Sequence, residues 1–224
     1  MDFDRAASIY RKAHKENISF SGEEPDYFHL MKARMAADRL GGHGPGIKLL
    51  DYGCGLGLVT RHLKKLIPEA EIHGADPSAK SIGMASSENP GIKFTHLDGS
   101  APYEAGYFDA VMLSCVLHHA WRDRGAVYGE VRRLLGTGKD LFVFEHNPFN
   151  PLTRRAVSTC VFDEDAKLIS RRTCCAELEK AGFIIREAGY IVFFPGFLRR
   201  LRPFEKHMGW LPLGGQYFVR AAKT

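Results

Sequence analysis

Three groups of residues have types and spacings that could carry chemistry. The first is Asp51-x-Gly53-x-Gly55-x-Gly57 in "LLDYGCGLGLVTRHL", an apolar run that ends in an acid and then in alternating glycines before an amphipathic stretch. Glycines at a strand-to-helix turn allow a tight bend and let a ligand approach the backbone closely. The second group is the pair His118 and His119 at the end of "FDAVMLSCVLHH", and the third is Glu145, His146 and Asn147 in "DLFVFEHNPFNP". Imidazoles titrate near neutral pH and suit general acid-base work, and carboxylates suit orientation or proton transfer. At these spacings the first group reads as a nucleotide-type binding loop and the other two as candidate catalytic groups.

These residues need elements to position them. Apolar residues recur at helical spacing over 2–16 and 26–40, and a glycine-rich connector follows at 41–46. Beyond it, strand-like runs ("IKLLDYG", "EIHGADP", "IKFTHLDG", "FDAVMLS", "DLFVFEH", "FIIREAGYIVFF", "GGQYFVRAA") alternate with helical ones. Ser78 is placed to cap one helix, and Pro68, Gly136 and Gly182 are placed to stop others. Such alternation predicts a doubly wound α/β fold. The expected sheet is mainly parallel and seven-stranded, with helices on both faces, the last strand antiparallel and an N-terminal helical lid. The chain reads as one domain: a lid over 1–46, a core over 47–147, and C-terminal helices and final strands over 148–224, with a substrate-side insertion at 195–213.

The spacing of the glycine loop separates two kinds of ligand. A dinucleotide fingerprint needs a small residue where this chain has Leu58, which disfavours a nicotinamide dehydrogenase. The pattern instead resembles motif I of the class I S-adenosylmethionine (SAM)-dependent methyltransferases. The resemblance continues through Asp76 and Pro77 after the second strand, Asp98, Gly99 and Ser100 after the third, and Ser114, Cys115 and Val116 after the fourth. It implies that SAM binds at Asp51, Gly53, Cys54, Gly55 and Gly57, with Asp76 on the ribose and Asp98 on the adenine amine. It also implies that Tyr10, in the first helix, reaches the methionine end and that S-adenosylhomocysteine is the product. Nothing read in the sequence requires a metal. The acceptor is expected to be a small molecule, with oxygen of a sugar, lipid-linked or other secondary metabolite favoured. The candidate catalytic residues are His119, Glu145 and His146, with His118 beside them. His14, Phe20, Tyr27, Phe28 and Lys32 are weaker lid candidates. An RNA or protein methyltransferase and a non-catalytic module of the same fold are the alternatives.

"NPF" also invites comparison with the Asn-Pro-Pro-aromatic loop of DNA amino-methylases. That motif follows the fourth strand, where this chain has "SCVLHH", and the base-flipping reading loses its support.

Composition excludes several other classes. The chain has 224 residues, a net charge of +5, 45% hydrophobic and 25% charged residues, which is ordinary globular usage. Five cysteines form no CxxC pair, and a zinc site from His146, Cys160 and the Cys174/Cys175 pair lacks paired-ligand spacing. The opening "MDFDRAASIYRK" has no apolar signal region, which points to a cytoplasmic protein. Arginine doublets would have to gather on one surface to bind nucleic acid, which is not expected. Aromatic and basic residues interleave over 197–210, a pattern suited to a membrane surface or a lipid-linked substrate.

Overall fold

The computed structural model describes residues 22–41, 46–160 and 163–224. The helix expected at 2–16, with Tyr10 and His14, lies outside the described residues, as do Phe20 and the middle of the connector at 41–46. The first described helix, α1 (Pro25–Leu40), has proline in its opening turn, where the missing N–H breaks no helical bond. Crossover units follow: β1 (Lys48–Tyr52), α2 (Leu58–Leu66), β2 (Glu71–Asp76), α3 (Ala79–Glu88), β3 (Lys93–His96), β4 (Phe108–Ser114), α4 (Arg124–Leu134) and β5 (Leu135–His146). The chain continues through α5 (Pro151–Thr159), α6 (Arg171–Lys180), β6 (Phe183–Ile191), a 3-10 segment (Gly196–His207) and β7 (Gln216–Lys223).

The seven strands form one sheet in the order β3-β2-β1-β4-β5-β7-β6, with β7 antiparallel to both its neighbours and β1 to β5 parallel. Strand order reverses between β1 and β4, and a ligand crevice forms outside the carboxyl ends of strands at such a reversal. Alternate strand residues feed two cores. Leu50, Val111, Leu113 and Val143 pack with α4 and α6, and Leu49, Ala110, Met112 and Phe142 pack with α1 and α2. Burial on both faces explains why β4 and β5 read as nearly continuous apolar runs.

Helix starts follow local chemistry. Ser78 accepts from the Ser81 N–H at 3.1 Å, as expected, and Asp123, Asn150 and Ser170 cap α4, α5 and α6 in the same way. One boundary differs from the sequence expectation: α4 ends at Leu134, and β5 begins at Leu135 instead of near Asp140. Gly136 is therefore a strand residue and not a helix stop. Leu135 pairs with Phe108, and a register shift before Ala110 absorbs the glycine-containing start of β5.

After β5 the chain is fastened to the C-terminal insertion by Asn147, which is fully buried. Its side-chain amide donates to Pro212 O at 3.1 Å and Gly214 O at 2.8 Å, and its Oδ1 accepts from the Phe149 N–H at 3.1 Å. Truncation in Asn147→Ala strands these buried groups, each at about 1–3 kcal/mol. At the low end the three groups together cost about 3 kcal/mol, and with roughly 2–4 °C per kcal/mol for a chain of this size melting should fall by at least about 6–12 °C. Circular dichroism melts check this; a variant that melts with the wild type would show that the insertion is held by other contacts.

Candidate active site at the strand ends

The loop after β1 has its shape for steric reasons. Gly53 (φ +77°) and Gly57 (φ +69°) adopt left-handed backbone, and a Cβ on them would lie 2.5 Å from Val116 Cγ2 and 2.8 Å from Phe94 Cζ. The Gly55 N–H donates to Asp76 Oδ2 at 2.8 Å, and the Ser78 N–H donates to Asp76 Oδ1 at 2.8 Å. Asp76 thus ties the glycine loop to the start of α3.

Beside this loop lies a cavity of about 590 Å³, whose polar end includes Asp51, Gly55, Lys32, Ser114 and Cys115. Asp51 is buried, and its Oδ2 accepts from Thr60 Oγ1 at 2.7 Å. Its Oδ1 is buried with no hydrogen-bond partner. Burial, with a smaller contribution from the Asp76 charge, raises the Asp51 carboxyl to about 6. Lys32, on α1 and also buried, donates to Ser114 Oγ at 3.2 Å and Cys115 Sγ at 3.1 Å. Burial alone would raise the Cys115 thiol, but the Lys32 ammonium and His146 outweigh it and bring it down to about 6. Cys115 holds a left-handed φ of +60°, uncommon for a residue with a side chain and found where a site over-determines the backbone.

A histidine cluster forms the next wall. Glu145, at the end of β5, is completely buried; its Oε1 accepts from the Leu117 N–H and its Oε2 from His118 Nδ1, both at 2.6 Å. His118 Nε2 lies 3.3 Å from Asp163 Oδ1, and His119 Nε2 lies 3.4 Å from the same oxygen. Burial disfavours the His118 cation, yet the two carboxylates outweigh it and raise the imidazole to about 10. His119 is pushed down to about 4 by burial and the neighbouring His118 cation. Asp163 is held at about 2, because its histidine neighbours overcome desolvation.

The structure brings Asp51, Gly53, Cys54, Gly55, Ser114, Cys115, His119 and His146 to one cavity. Asp76, Pro77, Asp98, Gly99, Ser100, Val116 and Gly57 lie outside its lining. Asp98, Gly99 and Ser100 are exposed past β3, and Ser100 Oγ reaches Glu130 at 3.4 Å. Glu145 lies beneath the histidines and does not line the cavity, so it acts on them by orientation. Lys32, a weak lid candidate from sequence, is a central cavity residue. Asp163, His118 and Cys160 also line the cavity. Asp163 could not be found from spacing, because only the fold brings that turn against the end of β4.

Over the cavity, α1 meets the C-terminal insertion. Arg202 lies over the Tyr27 ring at 4.1 Å and is paired with Glu23. Phe28, Phe193, Phe194, Phe197 and Leu152 also line the cavity and make part of its wall apolar.

A glycine-loop cavity at the strand-order reversal, under this seven-stranded topology, is the class I SAM-dependent methyltransferase arrangement. Residues 50–143, under half of the chain, match the family model described as a methyltransferase domain. It is similar to demethylmenaquinone methyltransferase of Thermus thermophilus, with 32% identity over 106 residues, covering 45% of this chain and 48% of that protein. It is also similar to ubiquinone biosynthesis O-methyltransferase of Sinorhizobium fredii, with 35% identity over 79 residues, covering 33% of this chain and 31% of that protein. The chain thus spans about half or less of the curated relatives it matches. A possible histamine N-methyltransferase of Thermotoga maritima superposes with a TM-score of 0.69 at 19% identity, covering 99% of this chain and 98% of that one. At that identity the likeness is one of fold.

The donor set fits SAM at the methionine end: Asp51 Oδ1 is an unsatisfied acceptor for an ammonium group, and Lys32 is a cation for a carboxylate. Because the Asp51 pKa of about 6 lies above the ordinary carboxylate value, the ligand-free native protein takes up a proton that the unfolded chain does not between about pH 4 and 6. A cationic ligand favours the ionised form. S-adenosylhomocysteine affinity should therefore rise about tenfold between pH 5 and 7. Asp51→Asn should bind more weakly and lose that slope; calorimetric titration of both proteins at the two pH values checks this, and a wild-type affinity independent of pH would remove Asp51 from the ammonium.

Proposed function

We propose that this chain transfers the methyl group of SAM to an oxygen of an apolar small molecule, such as a lipid-linked or aromatic hydroxyl compound. One observation carries the reading: a single cavity is lined both by the charged Asp51 and Lys32 and by the apolar Phe28, Phe194, Phe197 and Leu152. SAM supplies a methyl on a cationic sulfur, and transfer is an in-line displacement that needs positioning and exclusion of water. Gly55 and Asp76 suit the ribose side, and Asp51 and Lys32 the amino-acid side. His146, at the end of β5 and in the cavity wall, is the candidate to take the acceptor's hydroxyl proton.

The acceptor class follows from the walls and the rim. Phe197 lines the cavity and is exposed, as are Phe149, Phe204 and Trp210, and Asn150 Nδ2 donates to Leu213 O at 2.7 Å, which joins the segment after β5 to the insertion. Apolar surface of this kind suits capture of a hydrophobic acceptor. The relatives named for quinone methylation support the same class. An RNA substrate draws less support: Arg133 is bound to Glu130 and to backbone carbonyls and Arg171 lies over Tyr190, so these two partly exposed arginines are already engaged.

The test is label transfer from methyl-labelled SAM to hydroxylated prenyl-quinols, free sugars and tRNA. Label should enter the prenyl-quinol as a methyl ether. His146→Ala should lower kcat by about 10²- to 10⁴-fold with unchanged S-adenosylhomocysteine affinity. Label appearing in tRNA, or in sugars alone, would overturn the acceptor class. Full turnover in His146→Ala would remove it as the base.

A further inference from the structure

We propose that His118, His119 and Asp163 form a binding site for a divalent first-row transition-metal ion facing the cavity. His118 Nε2, His119 Nε2 and an Asp163 carboxylate oxygen all lie within 4.8 Å of one another. Two of the separations are 3.3 and 3.4 Å. Ligand atoms about 2.0–2.2 Å from a shared ion stand roughly 3–3.5 Å apart at tetrahedral or octahedral angles. The cluster therefore needs only side-chain adjustment to take an ion.

The surroundings are those of a metal-ligating histidine. Glu145 accepts from His118 Nδ1 at 2.6 Å, which fixes the ring and presents Nε2 to the ion, and the Leu117 N–H holds the other carboxylate oxygen. A carboxylate on the far nitrogen is the usual outer partner of such a ligand. The charges also balance: Glu145 and Asp163 offset a dication when both imidazoles are neutral. Two nitrogens and one carboxylate oxygen suit Fe²⁺, Co²⁺ or Zn²⁺, and suit Mg²⁺ or Ca²⁺ poorly. All three residues line the cavity, so the remaining coordination positions face it and are open to water or an acceptor oxygen. Neighbouring histidines and a distant aspartate have no paired-ligand spacing, which is why the sequence pointed to no metal.

The site does not depend on the methyl-transfer reading and is tested without it. Chelator-treated full-length protein is dialysed to equilibrium against Zn²⁺, Co²⁺ or Mg²⁺, and bound metal is counted. Wild type should take up about one Zn²⁺ or Co²⁺ per chain, as a three-ligand site with open positions does, and little Mg²⁺. The Co²⁺ form should show visible d–d absorption. His119→Ala and Asp163→Asn should weaken binding at least about tenfold, and Glu145→Gln by roughly 10- to 100-fold. Sub-stoichiometric Zn²⁺ and Co²⁺ on the wild type overturns the proposal, as does wild-type affinity in both His119→Ala and Asp163→Asn. Circular dichroism verifies folding of each variant. Should one unfold, the wild-type stoichiometry and the Co²⁺ spectrum still decide the question.

Discussion

A carboxylate with no access to water sits at the end of the central strand β5, and the site is built around satisfying it. Glu145 is fully buried, and removing such a group from water costs several kcal/mol unless donors replace the lost hydration. The replacement comes from Leu117 N–H and His118, which lie just beyond β4, so the loop after β4 has to turn back over the end of β5. That turn runs through Cys115 in left-handed backbone, whose N–H donates to Phe144 O at 2.8 Å, and it presses Val116 against Gly53. One buried charge thereby links the histidine wall to the shape of the glycine loop. Polarity in the core has a direct consequence for the geometry of the site.

The closing side of the cavity depends on a second set of polar contacts, between segments distant in sequence. Asn147 and Asn150 hold the backbone of 212–214, and Arg202 bridges from the 3-10 segment to Glu23 and the Tyr27 ring. The 3-10 segment buries none of its residues and is broken at Leu198, so its own packing cannot fix its position. It is held at its ends and by Arg202. An apolar rim on such a segment can stay exposed without destabilising the sheet beneath it.

Much of this architecture was legible in the sequence, and what was missed has common causes. Strands such as β4 and β7 could be placed because runs buried on both faces are apolar, and caps such as Ser78 mark helix starts. The start of β5 was misplaced because Gly136 reads as a helix stop, whereas here it accompanies a register shift between strands. In the site, Asp51 and the glycines were visible because a turn imposes local spacing. Lys32 looked like one more cation on an amphipathic helix, since its helix carries Asp26, Arg34 and Arg39 as well. Only the docking of α1 on α2 and the strand ends shows that it is buried. Asp163 and the role of Glu145 required tertiary contacts that no spacing encodes.

Two buried carboxylates beside the cavity handle charge in opposite ways. At Asp51, burial raises the carboxyl to about 6 and leaves one oxygen unsatisfied, so a cation arriving there gains a partner and stabilises the ionised form. Beneath the histidine wall, Glu145 is already matched by His118 and a backbone donor, so it holds the His118 ring in place and receives no ligand itself. The unsatisfied carboxylate is therefore the one suited to receive a charged group, and the satisfied one to position the side chains that face the cavity.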